Sequence, residues 1–173
     1  DNMRQYNFFT SRFFNAFDIE LDVKPYLMMV TDVYFAEQTA LDPFSDVIQI
    51  IGRFRNGVTS IEHITNVNYD LPQRSEEELC SFMDTSENVY ETLRKFYDAA
   101  PNKGAREAYR AAMESLPFNR MLDRNGHKNW FAIDNYVNDA LVIGYYHDNK
   151  SLHAAYLQHD DILNALMWVT NYH

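Results

Sequence analysis

The sequence predicts an α/β fold in which a partial parallel sheet, up to about residue 70, is followed by an all-α extension over residues 71–173. Short β-rich runs alternate with one helical segment before residues 69–75, and every periodic segment after them has helical spacing. The succession strand, helix, strand in the first part implies a right-handed crossover between parallel strands. Hydrophobic residues make up 46% of the 173 residues, enough to bury a core.

The first part contains three predicted strands. Residues 6–10 form the first, and residues 61–67 form the third. Residues 26–31 are a continuous apolar run between Pro25 and Asp32, which is typical of a buried parallel strand.

One helix is predicted between the second and third strands, over residues 42–53. Asp42 is a favourable N-cap before a proline at the first helical position, and a glycine closes the far end. At 100° per residue, the side opposite the apolar residues carries Gln49, Gly52, Arg53 and Asn56. An arginine there suits a phosphate group, because its guanidinium is always charged and offers a planar fork of donors.

The extension is predicted to be helical throughout. Ser75 and Glu78 have the spacing of a capping box at the start of its first helix, and Pro101 ends that helix. Ser151 is predicted to cap a later helix. The helices after the first are predicted over residues 105–116, 133–141, 151–156 and 161–172.

The chain is acidic, with a formal net charge of −10. Residues 1–68 carry nine acids and five bases, and residues 69–173 carry sixteen acids and ten bases. Neither part has the basic composition of an autonomous nucleic-acid-binding domain. A contact with nucleic acid would have to be local, or made by segments outside this chain.

Several residue types point to the setting of the chain. The lone Cys80 excludes an internal disulfide framework and suits a reducing compartment, and its apolar helical surroundings predict a buried side chain. No apolar run approaches the roughly 20 residues that span a bilayer, so a cytoplasmic protein without membrane contact is expected.

The chain begins at Asp1 close to a strand-like run, which indicates a piece of a longer protein. His147, His153 and His159 recur every six residues, on different helix faces, so no metal site is predicted.

Two segments of the first part, QIIGRFRNG at residues 49–57 and TSRFFNAFD at residues 10–18, resemble motifs of superfamily 2 helicases of the DEAD/DEAH-like kind. Residues 49–57, Gln-Ile-Ile-Gly-Arg-Phe-Arg-Asn-Gly, resemble motif VI, whose usual form is Gln-x-x-Gly-Arg-x-Gly-Arg-x-Gly. Residues 10–18, Thr-Ser-Arg-Phe-Phe-Asn-Ala-Phe-Asp, resemble motif V, a strand-to-loop run that closes with Gly-x-Asp. The resemblance covers about residues 6–68. It implies that residues 1–70 are the C-terminal part of the second RecA-like lobe of a helicase.

The resemblance also implies an ATP site at the cleft between two RecA-like lobes. Arg53 stands at the family's first motif VI arginine, which stabilises charge on the γ-phosphate during hydrolysis, and Arg55 is the candidate for the second. Gln49, Gly52 and Asp18 match positions beside the nucleotide.

Further partners follow from the same resemblance. Thr10 and Ser11 match positions near the phosphate backbone of DNA or RNA. The chain has neither the Gly-x-x-x-x-Gly-Lys-[Ser/Thr] phosphate loop nor an Asp-Glu-x-x box on a strand. ATP and Mg²⁺ are therefore expected to bind only together with a missing N-terminal lobe, and the isolated chain is expected to be inactive.

Two positions depart from the family's pattern. Arg55 comes one place early, and Asn56 occupies the usual slot of the second arginine. On a continued helix Arg55 would point to the apolar side, so the chain must leave the helix near Arg53 for Arg55 to act. Ala16 stands where motif V usually has glycine.

Two other functions fit the same sequence. The helical extension could be a non-catalytic interaction module that docks a partner such as a nuclease or methyltransferase subunit, which an exposed apolar patch would favour. The first part could instead be a degenerate lobe that keeps the fold without the activity. A cleft around Arg53 filled by the chain's own side chains would favour that alternative, whereas a motor needs an open face there.

Overall fold

The computed structural model describes residues 3–10 and 18–158 and the backbone of residues 167–171, and its architecture is mixed α/β. The chain divides into two compact units. Unit 1 comprises the described residues up to Pro72 together with those from Val142 onward, and unit 2 is Gln73–Leu141. The predicted division at residue 70 lies beside the first boundary, while the residues after Leu141 return to unit 1.

Unit 1 contains a parallel sheet. Its strands are β1 (Tyr26–Val30), β2 (Ser60–Thr65) and β3 (Met167–Asn171), and β2 lies in the middle. The register places Tyr26 beside Ser60, and both neighbours of β2 run parallel to it. The second and third predicted strands are thereby confirmed, as is their parallel direction.

Strand β3 corrects the helix predicted over residues 161–172. Residues 167–171 read Met-Trp-Val-Thr-Asn and pair with β2, and residues 159–166 lie outside the described part of the chain. A short run of aromatic and β-branched residues fits a strand as well as a helix. Pairing with β2 selects the strand, and β2 is too far away in the sequence for local residue spacing to reveal it.

Strand β1 is buried on one face only. Met29 is 5% exposed, whereas Tyr26, Met28 and Val30 are 79%, 58% and 68% exposed. The run was predicted to be a buried parallel strand, and that prediction holds for one face of β1 and is wrong for the other. Its place at the edge of the sheet and the alternation of a pleated strand explain the pattern.

The strand predicted over residues 6–10 is also wrong. The described residues 3–10 are all exposed and form no strand. The Arg4 N–H donates to Asn7 Oδ1 at 3.0 Å, and the Asn7 side-chain amide donates to the Arg4 carbonyl at 2.7 Å. These two bonds close a local turn at the start of the predicted strand.

Helix α1 (Asp46–Gly52) connects β1 to β2 and begins four residues later than predicted. Asp42 organises the turn before it, because its carboxylate accepts from the Phe44 N–H at 2.9 Å and the Ser45 hydroxyl at 2.7 Å. The Asp42 carbonyl accepts from the Val47 N–H at 3.2 Å. The predicted N-cap is therefore wrong: Ser45 is the N-cap of α1, and Asp42 orders the turn that precedes it.

The core of unit 1 is organised around two buried side chains, His63 and Tyr146. The Tyr146 hydroxyl accepts from the Leu41 N–H and donates to the Leu41 carbonyl, both at 2.9 Å. Burial raises the pKa of Tyr146, so the hydroxyl remains protonated. The buried residues of this core are Met29, Val33, Leu41, Val47, Ile50, Ile61, Leu71, Val142, Tyr146, Leu152 and Tyr156.

His63 on β2 is fully enclosed and hydrogen-bonded through both ring nitrogens. Nδ1 lies 2.6 Å from the Tyr156 hydroxyl and Nε2 lies 3.0 Å from Thr31 Oγ1. Because Thr31 donates to Thr65 Oγ1 at 2.6 Å, it accepts from His63, which fixes the Nε2–H tautomer. Desolvation lowers the pKa of His63 to about 4 and keeps the ring neutral.

Unit 2 is built from α2 (Glu76–Asp98), α3 (Lys103–Ser115), a short 3₁₀ helix and the first part of α4 (Trp130–Tyr145). The predicted capping box is confirmed: Glu78 N–H donates to Ser75 Oγ at 3.2 Å, and Ser75 N–H donates to the Glu78 carboxylate at 2.8 Å. Met83, Phe118, Met121 and Ile133 form its core.

Two local predictions about the helices are wrong. Cys80 is exposed, because it lies about 100° around α2 from the buried Leu79 and faces away from the core. Helix α5 (Asn149–Leu157), in unit 1, is capped by Asp148, whose Oδ1 accepts from the Ser151 N–H at 2.7 Å. None of the described helices combines the length and the apolar character that crossing a membrane requires.

Candidate functional site

The candidate site of unit 1 is formed where residues 18–25 run beside the turn that follows α1. Ile19 and Phe54 form a parallel backbone bridge. The Ile19 N–H donates to the Arg53 carbonyl at 2.7 Å, and the Arg55 N–H donates to the Ile19 carbonyl at 3.0 Å. Ile19 is itself buried, so it anchors the segment that follows Asp18 against the turn that follows α1.

The end of α1 determines where the two arginines lie. The last helical residue is Gly52, and Arg53 keeps helical dihedral angles of φ −70° and ψ −24° as the C-cap. The chain then turns, because the Phe54 N–H donates to the Ile51 carbonyl at 3.1 Å and Gly57 adopts a φ of 79°. The chain thus leaves the helix at Arg53, as expected from the sequence if Arg55 is to lie on the same side as Arg53.

Both arginines contact the carboxylate of Asp18. Arg53 Nη1 lies 3.4 Å from Asp18 Oδ1, and Arg55 Nη2 lies 2.6 Å from Asp18 Oδ2. The hydrogen bond from Arg55, followed by its charge and the bond from Arg53, holds the pKa of Asp18 below its usual range. The structure therefore brings together three of the residues that the sequence singled out.

The group is accessible to solvent. The side chain of Arg53 is 28% exposed, that of Arg55 is 53% exposed and that of Asp18 is 43% exposed. Charges in such a position can exchange one partner for another at small cost. Chemically, two adjacent guanidinium groups can bind a phosphate or a carboxylate with several hydrogen bonds.

Gln49 and Gly52 lie on the exposed side of α1, one turn and one residue before Arg53. A Cβ built on Gly52 meets no atom within 4 Å, so nothing in the described chain approaches this glycine closely. The surface beside Gly52 is open to a partner.

Of the two predicted nucleic-acid positions, only Thr10 belongs to the described part of the chain. Thr10 is exposed at the end of a described segment that forms no strand. Ser11 lies outside the described residues. Both therefore remain predictions from the resemblance alone.

Asn56 is a residue of this site whose role sequence comparison missed. Its side-chain amide donates to the Leu21 carbonyl at 2.8 Å, and the Thr59 hydroxyl donates to the Lys24 carbonyl at 2.8 Å. These bonds tie the segment after Asp18 to the turn after α1. The sequence does show an asparagine where the family usually has the second arginine of motif VI. Its hydrogen-bond partner, the Leu21 carbonyl, could be identified only from the structure.

No group of three metal-ligating side chains converges within the part of the chain that the structure describes. Comparison of the chain with protein-family models, with curated proteins and with solved structures finds no match in any of the three.

Proposed function

We propose that this chain is part of an ATP-dependent superfamily 2 helicase or translocase, and that unit 1 is the C-terminal part of its second RecA-like lobe. The observation that carries the proposal is the contact of Asp18 with both Arg53 and Arg55. The resemblance assigned these residues to two motifs separated in sequence, and the fold joins them through one carboxylate and one backbone bridge.

The order of elements supports the same assignment. The motif V-like segment is followed by β1, then by α1 with the motif VI-like turn at its end, and then by β2. β1 and β2 are parallel, as an α/β lobe requires. Arg53 and Arg55 are partly exposed, as a motor requires of residues that contact a nucleotide.

In this proposal Arg53 acts on a nucleotide held by a lobe outside the chain. Its guanidinium stabilises negative charge on the γ-phosphate, and Arg55 adds a second positive charge beside it. Asp18 orients both groups until the nucleotide arrives. Gln49 and Gly52 lie on the surface that faces the other lobe, and Thr10 and Ser11 contact the backbone of DNA or RNA.

The deciding experiment measures nucleic-acid-stimulated ATPase activity in the longer protein that the proposal implies, in wild type and in Arg53→Ala. We expect the rate to fall by two orders of magnitude or more, since an arginine of this kind contributes about 10³–10⁵ to kcat. Arg94→Ala is the matched control, because within the described residues Arg94 makes an exposed ion pair with Glu91 on α2. An unchanged rate in Arg53→Ala would remove this arginine from the mechanism.

A second candidate function is a helical interaction module. Phe82, Val89 and Phe96 are 40%, 42% and 53% exposed and recur every seven residues along α2, so they form one apolar stripe. The same assay separates the two functions: absence of nucleic-acid-stimulated ATPase in the wild-type protein would favour the interaction module.

A further inference from the structure

Unit 2 contains a small hairpin over residues 121–129 that leads into α4. Its two arms pair through hydrogen bonds of 2.8 Å from the Asn129 N–H to the Met121 carbonyl and from the Asp123 N–H to the His127 carbonyl. Gly126 has a φ of 78°, which closes the turn at the tip. The hairpin is therefore an ordered element.

The charge of Asp123 is used inside the hairpin. Its Oδ1 accepts from the Asn125 N–H at 2.7 Å and from the His127 N–H at 2.9 Å. Arg124, next to it in the sequence, is exposed at the tip. Arg120 is exposed at the base of the first arm. The hairpin thus presents guanidinium groups at both ends while its carboxylate is turned to the backbone.

Two aromatic side chains stand at the base of the second arm. Trp130 is 65% exposed and Phe131 is 82% exposed, at the start of α4. Lys128 holds the indole, because its Nζ lies 4.2 Å from the ring centroid, and it also forms an ion pair with Glu87. Adjacent aromatic rings on an ordered element offer stacking surfaces for bases, and each stacked base contributes measurably to binding.

Two exposed arginines supply the positive charge of this surface. Residues 120–131 contain three bases and one acid, and Arg120 and Arg124 are the bases that face solvent, because Lys128 is paired with Glu87. Asp134, one turn along α4 from Trp130, limits the surface on that side. Because the chain as a whole is acidic, a contact with nucleic acid would have to be confined to a small region. This hairpin is such a region, since it combines cations with exposed aromatic rings over a short stretch.

We propose that the hairpin of residues 121–129, together with Arg120, Trp130 and Phe131, binds single-stranded nucleic acid. Bases stack on Trp130 and Phe131, and the guanidinium groups of Arg120 and Arg124 contact phosphates. The proposal depends on the proposed function for the identity of the ligand, but the site belongs to unit 2 and needs neither ATP nor Arg53. An aromatic surface with arginines also suits a protein partner, which is an outcome that the test distinguishes.

The test is fluorescence anisotropy with the 173-residue chain and a labelled single-stranded oligonucleotide of about 16 nucleotides, without ATP. We expect Trp130→Ala to weaken binding about tenfold and Trp130→Ala with Phe131→Ala about a hundredfold. Trp130→Phe keeps a stacking ring and should stay within about threefold of wild type. Phe35→Ala, which truncates a ring that is 93% exposed in unit 1, is the control that should leave the affinity unchanged.

The salt dependence tests the phosphate contacts separately. Each lost contact to a single strand reduces the slope of log K against log salt concentration by about 0.7. Arg120→Gln with Arg124→Gln should therefore reduce it by about 1.4. Arg94→Gln removes a charge elsewhere in unit 2 and should leave the slope as it is.

Trp130 fluorescence gives an independent readout, because stacked bases quench it. Quenching should be present in wild type and absent in Trp130→Phe, whose remaining tryptophan is Trp168. No binding of the oligonucleotide, or equal binding by the folded Trp130→Ala and Phe131→Ala double variant, would overturn the proposal and leave a protein partner as the occupant. Either result is independent of the ATPase assay on Arg53.

Discussion

Asp18 and Arg55 form a 2.6 Å ion pair across the turn that follows α1, although they are far apart in the sequence. The same carboxylate contacts Arg53 at 3.4 Å, so a single acid holds both arginines of the candidate site. The backbone bridge between Ile19 and Phe54 fixes this geometry independently of the side chains. Changes to Asp18 can therefore separate the role of the charge from the role of the fold.

Asp18→Asn is predicted to alter activity more than stability. The side chain is exposed, so losing its ion pairs should leave the urea midpoint of the chain close to wild type. In the longer protein the arginines lose the group that orients them, and the ATPase rate should fall at least tenfold. Asp22→Asn is the control, since Asp22 is exposed in the same segment. A large fall in the urea midpoint with unchanged activity would contradict the prediction.

The two glycines of the motif VI-like segment should respond in opposite ways to alanine. Gly57→Ala places a side chain at a φ of 79° and should lower the free energy of unfolding by about 1 kcal/mol. Gly52→Ala meets no atom within 4 Å at the end of α1, so the chain should be as stable as wild type or more stable by up to about 1 kcal/mol. Urea unfolding of the two variants measures both effects.

Gly52→Ala also tests the open surface beside α1. If another lobe approaches this glycine closely, the variant should lose ATPase activity in the longer protein while the isolated chain stays folded. Full activity would show that no close approach occurs at Gly52, and would leave Arg53 to be judged by its own variant.

We predict that the chain loses stability in mild acid because of the buried His63. Its pKa is about 4 in the folded chain, against an ordinary value of 6.5, so the unfolded chain binds a proton first as the pH falls. Stability from this group is complete above pH 6.5 and decreases as the pH falls towards 4, by about 3 kcal/mol in total. Urea unfolding between pH 7 and pH 4 measures this change.

A glutamine at position 63 cannot take up a proton in this range. His63→Gln should therefore show a shallower decrease of stability with acid than wild type, whatever its stability at pH 7. Equal pH dependence of wild type and His63→Gln would exclude His63 as the source.

Ser75→Ala should weaken the start of α2. It removes the acceptor for the Glu78 N–H and half of the capping box, which costs about 1 kcal/mol. Hydrogen exchange of amides in the first turn of α2 measures the effect locally and should increase about fivefold. Ser81→Ala, at an exposed position within the helix, should change that exchange little.

Sequence alone predicted the features that depend on neighbours in the chain. The capping box of Ser75 and Glu78 needs only residues within one turn, and the central strand β2 has a clear apolar pattern. The pairing of β3 with β2 depends on a partner far away in the sequence, so a run compatible with both structures was interpreted as helix. Cys80 was wrongly predicted to be buried, because the face of a helix that becomes buried depends on which neighbouring elements pack against it.

The candidate site divides in the same way. Arg53 and Arg55 were found from their motif, but their joint contact with Asp18 required the turn after Gly52 to be known. The bond from Asn56 to the Leu21 carbonyl and the pairing of the hairpin arms connect residues whose sequence neighbourhoods carry no mark of the partner. Such contacts follow from tertiary structure and not from residue type.

The position of β3 has a consequence for synthesis on the ribosome. β2 ends at Thr65 and its partner begins at Met167, so the sheet of unit 1 stays incomplete until all of unit 2 has been translated. Unit 2 has its own core within Gln73–Leu141 and can form while one edge of β2 is still unpaired. A ribosome that stalls after Leu157 would release a chain with an open strand edge, which is prone to pair with another copy.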